Sequence, residues 1–146
     1  MATIIASLSV TSNIMSYPIT ISKTMTMNKL QSCTGVEETS GLRTKKFVNT
    51  TALPIIEQDE YTSAKNHKVY MRNTSANKAN FFYVAKHATA AASDTDAAAS
   101  GITIGKLYGG DWMLIPYLGD VNITVASNTT DTQYLEYMVF AESMLL

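Results

Sequence analysis

The residues that could carry nucleophilic or metal chemistry are few in this chain, and they stand far apart. A cysteine nucleophile needs a base, so Cys33 would have to meet His67 or His87, but no local motif joins these residues. The two histidines are 20 positions apart, and neither has a Cys, Asp or Glu at the spacing of metal ligands. We therefore expect Cys33 to be a buried apolar residue or an inert surface thiol, and we expect no metal site.

The acidic residues also lack the arrangement that catalysis or calcium binding requires. Asp94 and Asp96 resemble the start of a calcium loop, but the glycine and the distal glutamate of that loop are missing. Glu37 and Glu38 are neighbours, and neighbouring side chains of a strand point to opposite faces. A third group is most simply explained as a charged turn: Glu57, Asp59 and Glu60. With no glycine-rich phosphate loop either, these patterns predict a protein that is not an enzyme and binds no cofactor.

Aromatic side chains are the remaining candidates for a ligand site, because they can stack on sugars or bases. The candidates are Phe81, Phe82, Tyr83 and Trp112. If residues 80–86 form a strand, at least one of Phe81 and Phe82 must face outward. An outward aromatic fits a subunit contact as well as a ligand site, and both alternatives stay open.

Composition limits the classes of partner. Charged residues make up 16% of the chain, against about 25% in a typical soluble domain, and Thr, Ser, Asn and Ala replace them. The net charge is −1, and the densest basic stretch holds only Arg43, Lys45 and Lys46, so a phosphate-binding face is not expected. No apolar run reaches the roughly 20 residues that span a bilayer. We expect no nucleic-acid or membrane partner, and a surface suited to packing against other protein.

The cysteine count and the first residues predict the compartment in which the chain folds. Cys33 is the single cysteine, so no disulfide can form within the chain, which fits a reducing cytoplasm. Residues 1–5 lack the basic region of a secretion signal. A length of 146 residues without a linker predicts one domain over 1–146.

Period-two alternation is the dominant pattern. In residues 19–27, Ile19, Ile21, Met25 and Met27 occupy one face, threonine and serine occupy the other, and Lys23 is the one break. Further strands are predicted at 3–10, 36–48, 68–72, 80–86, 102–108, 111–117, 120–126 and 132–141. The alanine-rich residues 88–100 are predicted to form a surface loop. Short strands at this spacing predict an all-β antiparallel sandwich or barrel.

The segment 102–126 is predicted to form a three-stranded meander. Gly109-Gly110 and Leu118-Gly119 supply two tight turns between strand-like runs. Opposed residues share a face, so the two turns place one apolar set in the core: Leu107, Trp112, Leu114, Pro116, Val121, Ile123 and Val125. The opposite face is also apolar, so we expect a second sheet or a neighbouring subunit to cover it. Its predicted subunit-interface residues are Ile104, Met113, Ile115 and Tyr117.

Three further features concern strand position and contacts. Pro116 has no N–H to donate, so its strand is expected to have a free edge. Residues 134–140 are largely apolar on both faces, which fits a central strand or a strand at a subunit contact. The tail of Met144, Leu145 and Leu146 carries no charged side chain, which favours a further protein contact.

One stretch carries a family resemblance. Leu107-Tyr-Gly-Gly-Asp-Trp112 leads into a strand with Ile115-Pro116, the strand 121–125 follows, and Leu135-Glu-Tyr-Met-Val-Phe140 closes the stretch. In this order, residues 101–142 resemble the C-terminal half of small β-sandwich virion proteins of tailed bacteriophages. The resemblance covers under a third of the chain.

The resemblance implies a jelly-roll-like virion component without catalysis, made in the host cytoplasm. The implied role is a capsid decoration or cement protein that stabilises the phage head. Its implied partners are further copies of itself, most often in a trimer, and the major capsid protein or another virion protein. A tail, fibre or knob subunit is the alternative, and a carbohydrate-binding module using exposed aromatics is a further one. Residues 1–17 are expected to form an N-terminal arm that reaches a neighbour.

Overall fold

The computed structural model describes residues 3–12, 19–28, 35–58, 60–61, 66–87 and 102–143. All regular structure in these residues is β-strand, so the prediction of an all-β protein is confirmed. The strands are β1 (Thr3–Ser12), β2 (Ile19–Asn28), β3 (Gly35–Thr39), β4 (Arg43–Phe47), β5 (Leu53–Ile56), β6 (Asn66–Asn73), β7 (Phe81–His87), β8 (Ile102–Tyr108), β9 (Trp112–Tyr117), β10 (Asn122–Ser127) and β11 (Gln133–Ser143).

Strands β3 to β11 form two antiparallel sheets with a nested order. The β11 sheet has the order β4-β11-β6-β9, with β3 pairing farther along β11, and the β10 sheet has the order β5-β10-β7-β8. β7 and β8 form a hairpin, and the flanking strands pair around it in turn, β6 with β9, β5 with β10 and β4 with β11. One long hairpin rolled over itself has this order, so the predicted jelly-roll-like sandwich is confirmed.

The core lies between the two sheets because each strand turns alternate side chains inward. Phe47 of β4 and Phe82 of β7 join the sheets, with ring centroids 5.0 Å apart. The remaining large apolar side chains that are fully buried come from both sheets and are Ile56, Val69, Met71, Val84, Val125, Leu135 and Val139. The strand β11 lies between two neighbouring strands, and its inward residues Leu135 and Val139 are buried in the core. On its outer face, Phe140 is also largely buried, at 8% exposure.

The predicted strand 36–48 is two strands, β3 and β4, separated at residues 40–42. The Ser40 N–H donates to the Val139 carbonyl at 3.0 Å, and Ser40 Oγ accepts from the Val139 N–H at 2.9 Å. Gly41 has a φ of 71°, which favours glycine. Strand β5 was not predicted, because Pro54 interrupts its short pattern. It forms at the edge of the β10 sheet, where a missing N–H is tolerated.

The predicted meander is wrong. β8 pairs with β7, β9 pairs with β6, and β10 pairs with β7 and β5, so these successive strands alternate between the two sheets. The turns at Gly109-Gly110 and Leu118-Gly119 therefore carry the chain across the sandwich. Glycine at Gly110 and Gly119 adopts a positive φ of 81° and 91°, which suits a tight turn of either kind. A turn signal in the sequence does not say in which sheet the next strand pairs.

Crossing between the sheets inverts the faces predicted for β9. Met113 and Ile115 pack against the core, and Tyr117 is only 5% exposed within it. Their alternate neighbours Trp112, Leu114 and Pro116 point away from the core, and Trp112 is 51% exposed. The prediction that these three residues lie in the core is therefore wrong, and so is the prediction that Tyr117 lies at a subunit surface.

The faces predicted for β8 and β10 agree better with the structure. Leu107, Ile123 and Val125 are buried, and Val121 is partly buried against the core. Of the predicted interface residues, Ile104 keeps substantial exposure, at 40%. β9 is an edge strand, as expected from Pro116.

Trp112→Ala is expected to lower the free energy of unfolding by less than about 2 kcal/mol, because half of the indole already faces solvent. Full burial of an aromatic side chain would make the cost about 3–5 kcal/mol. Urea unfolding of the wild type and the variant measures the difference. A loss in the higher range would place Trp112 in a packed environment that its exposure contradicts.

The N-terminal strands β1 and β2 form a separate two-stranded sheet, which we call the N-terminal hairpin. They pair with each other over ten positions, from Thr3 opposite Asn28 to Ser12 opposite Ile19, and pair with no other described strand. The expected arm over 1–17 is, in its described part, one strand of this N-terminal hairpin. Residues 13–17 of the expected arm lie outside the described residues.

Candidate interaction surfaces

The groups considered for catalysis do not come together in the described structure. His67 is buried on β6, and His87 ends β7 in the other sheet. Glu60 forms an ion pair with Arg43 at 2.9 Å, and its hydrogen bond is the main cause that raises the pKa of the Arg43 guanidinium. Cys33, Asp59, Asp94, Asp96 and the tail 144–146 lie outside the described residues. Within the described ranges, no group of three or more His, Cys, Asp or Glu side chains could hold a metal ion.

Buried His67 and Tyr117 form an aromatic cluster with the partly buried Tyr61. The ring centroid of His67 lies 5.4 Å from that of Tyr61 and 5.9 Å from that of Tyr117. The Tyr117 hydroxyl donates to the Val121 carbonyl at 2.6 Å, which ties the end of β9 to the turn before β10. Burial, followed by the charges of Asp120 and Glu60, raises the pKa of the Tyr117 phenol to about 12. The cluster connects β6 with the end of β9, next to the turn at which the chain crosses from one sheet to the other.

The raised pKa of Tyr117 makes the free energy of unfolding decrease at alkaline pH. Its folded pKa of about 12 lies above the ordinary value of 10.0, so its contribution is complete below pH 10 and is lost as the pH rises through about 12. Tyr117→Phe lacks the hydrogen bond at neutral pH, at a cost of about 0.5–1.5 kcal/mol. The difference in unfolding free energy between wild type and variant should shrink from pH 9 to 12, as measured by urea titrations. Tyr134→Phe, at an exposed tyrosine, is the control; a constant Tyr117 difference contradicts the prediction.

The first of three surface grooves lies beside the edge strands β8 and β9, which belong to different sheets. It has a volume of about 300 Å³ and is lined by Lys86, Ile104, Ile115, Pro116, Tyr117, Leu118, Asp120, Val121 and Ile123. Three of the four predicted interface residues, Ile104, Ile115 and Tyr117, therefore share one groove, although they belong to two sheets. Met113 does not line it; Met113 packs against the core and also contributes to the lining of a groove under the N-terminal hairpin.

Two further grooves separate the N-terminal hairpin from the outer face of the β11 sheet. One of about 300 Å³ lies between residues 5–7 and a mainly aromatic patch of Tyr70, Trp112, Leu114 and Phe140. The other, of about 480 Å³, lies between β9 and the hairpin side chains of Ala6, Leu8, Lys23, Thr24 and Met25. Trp112 and Leu114 line both grooves, which explains why apolar residues occur on the outer face of β9. The hairpin approaches the sandwich here but leaves unfilled space.

Apart from these three grooves, a further candidate interaction surface lies on the outer face of the β10 sheet. It is the aromatic–lysine cluster, which is formed by Phe81, Tyr83, Lys106 and Tyr108. The register places Phe81 opposite Tyr108 and Tyr83 opposite Lys106. The ring centroid of Phe81 lies 5.0 Å from that of Tyr83 and 5.2 Å from that of Tyr108. Lys106 Nζ lies 4.6 Å from the Phe81 centroid and 5.2 Å from the Tyr83 centroid. Four neighbouring side chains thus form one patch.

Comparison of the chain with protein-family models, with curated proteins and with solved structures finds no match. The described part of the chain contains no helix with the length and hydropathy that crossing a bilayer requires.

The sequence predicted part of the aromatic–lysine cluster. Phe82 is fully buried and Phe81 points outward, as alternation along β7 requires. Lys106 and Tyr108 were not predicted to join Phe81 and Tyr83. Their alternation with the buried Leu107 indicated that Lys106 and Tyr108 share the outer face of β8. Only the pairing of β8 with β7 shows that they lie beside Phe81 and Tyr83.

Proposed function

We propose that this protein is a non-enzymatic structural component of a tailed-bacteriophage virion, a capsid decoration or cement protein. One observation carries the proposal: the N-terminal hairpin lies outside both sheets and exposes apolar side chains, with Leu8 at 45% and Ile21 at 44% exposure. A two-stranded hairpin is only marginally stable in water by itself. Leu8 lines the groove between the hairpin and β9, and Ile21 lies on the same face of the hairpin. A segment of a neighbouring protein that fills this groove would stabilise the hairpin, and a cement protein meets such neighbours on the capsid.

The fold supports the proposal by analogy. Two-sheet jelly rolls occur in viral capsid domains and in lectin domains, and a fold alone does not select a function. The low charge content of 16% agrees with a surface that packs against protein. The proposed partners are further copies of this chain, as a trimer, and the major capsid protein. The trimer comes from the family resemblance of residues 101–142.

The experiment compares two charge variants of the hairpin. Ile21→Lys places a charge on the apolar face, and Ser22→Lys places the same charge on the opposite face, where Ser22 pairs with Ser9. Each purified variant is incubated with phage heads that lack the protein, and the bound copies per shell subunit are counted by quantitative mass spectrometry. Ile21→Lys should bind at least about tenfold fewer copies than Ser22→Lys, with an unchanged circular dichroism spectrum. Equal binding of both variants would contradict the role of the hairpin.

The count of copies also tests the alternative of a tail, fibre or knob subunit. A decoration protein should be present at a number comparable to the shell protein and should remain on tailless heads. A protein found only on purified tails, at a few copies per particle, supports the alternative and contradicts the cement role.

A second candidate function, carbohydrate binding, is favoured by the aromatic–lysine cluster. Aromatic side chains on an exposed sheet face can stack on sugar rings, and lectin domains share the jelly roll. This role is compatible with a virion subunit. Binding of the purified protein to a glycan array, weakened by Tyr108→Ala, would support it.

A further inference from the structure

We infer that the aromatic–lysine cluster binds an acidic sugar, with Tyr108 stacking on the sugar ring and Lys106 pairing with its carboxylate or sulfate. The inference rests on the proposed carbohydrate-binding role, for which it names the class of ligand. It is independent of the role of the N-terminal hairpin, which lies against the other sheet.

Tyr108 carries the aromatic ring of the cluster that a ligand can reach. It is 41% exposed, and the Lys106 ammonium lies instead over the rings of Phe81 and Tyr83. Phe81 supports Tyr108 from the neighbouring strand, since their ring centroids are 5.2 Å apart at a tilt of 52°. One ring is therefore presented to solvent, and its aromatic neighbours hold it in place.

Lys106 supplies a positioned positive charge beside that ring. Residues 106 and 108 lie on the same face of β8, so their Cα atoms are about 7 Å apart. Cation–π contacts with Phe81 and Tyr83 hold the ammonium over the cluster. Within the described residues, no carboxylate pairs with Lys106, in contrast to Lys78, whose Nζ lies 3.6 Å from Asp111. A single anionic group on a stacked ring would complete the arrangement.

The charge pattern favours an acidic sugar over a single-stranded nucleic acid. Binding a nucleic acid strand requires several cations along its backbone, together with stacking aromatics. The cluster contains one cation, and the chain carries a net charge of −1. One ammonium suits a ligand with one anionic group beside each ring, such as a uronic acid.

The experiment uses an array of uronic, sialylated, sulfated and neutral glycans. It also includes a matched pair, oligogalacturonate and its methyl ester, in which an added methyl group removes each carboxylate charge. The full-length wild type is tested with Lys106→Gln, Tyr108→Ala and two controls. The controls are Lys78→Gln, at an exposed lysine, and Tyr134→Ala, at an exposed ring on the other sheet.

The wild type should bind acidic glycans and prefer oligogalacturonate over its ester by roughly two- to fivefold, the range of an exposed ion pair. Lys106→Gln should remove this preference while keeping binding to the ester. Tyr108→Ala should weaken binding to both, and the controls should match the wild type. Binding to neutral glycans without an acidic preference overturns the inference but leaves the carbohydrate role intact. Absence of binding to every glycan overturns both, and tighter binding to a thymidine oligonucleotide, lost in the same variants, assigns the cluster to nucleic acid instead.

Discussion

Gly109→Ala is expected to lower the free energy of unfolding by more than about 3 kcal/mol, at the upper end of the overpacking range. A Cβ atom at Gly109 would lie 2.8 Å from the Ser75 carbonyl oxygen and closer still to the Asn77 carbonyl oxygen. Both are backbone atoms of the loop between β6 and β7, so no side-chain rotation relieves the clash.

The loop around Ser75 and Asn77 resists displacement because hydrogen bonds hold it to the turn before β9. The Asn73 N–H donates to the Asp111 carbonyl at 3.0 Å, and the Gly110 N–H donates to the Asn73 carbonyl at 2.9 Å. Buried Asn73 Nδ2 also donates to the carbonyls of Asn80 and Leu107. Moving the loop away from a new methyl group would therefore break several hydrogen bonds in one corner of the sandwich.

Gly105→Ala is the matched control, since no heavy atom lies within 4 Å of a Cβ built there. We expect its unfolding free energy to change by less than about 1 kcal/mol, because a strand interior favours Ala over Gly only slightly. Urea unfolding followed by circular dichroism measures both variants. If Gly109→Ala is as stable as Gly105→Ala, the loop between β6 and β7 does not pack against the turn as the structure shows.

Phe82→Ala is expected to cost about 3–5 kcal/mol, a large share of the roughly 5–15 kcal/mol that stabilises a typical domain. Phe82 is 0% exposed and lies at the centre of the core, where its ring meets Phe47 of the opposite sheet. The smaller side chain would leave a cavity between two sheets whose backbones are held by their own ladders. The loss therefore combines lost burial with a cavity that collapses only in part.

Phe81→Ala provides the control for Phe82→Ala, because the two positions are adjacent on β7 and chemically identical. Phe81 points to the outer face and is partly exposed, so its replacement should cost less than about 2 kcal/mol. Thermal unfolding of the two variants gives the difference directly. A larger loss from Phe81→Ala than from Phe82→Ala would mean that β7 presents the opposite face to the core.

Local patterns in the sequence were sufficient to predict most strands and some of the faces that they bury. Alternation at 19–27 and at 80–86 depends on the geometry of one strand, so it survives whatever the strand pairs with. The apolar faces of 134–140 likewise indicated a central strand or a subunit contact, and β11 is a central strand. The aromatic pair Phe81 and Phe82 was correctly expected to divide between the outer face and the core.

The sequence by itself therefore determined an all-β chain, most of its strands and the burial of residues such as Leu107, Ile123 and Val125. The tertiary structure decided the sheet in which each strand lies. The same two-residue turn can reverse a strand within a sheet or carry it across the sandwich, and crossing turned Trp112 outward and Tyr117 inward. The pairing of β8 with β7 brought Lys106 and Tyr108 beside Phe81 and Tyr83. These outcomes depend on which strands pair with each other, and period-two alternation contains no information about the partner.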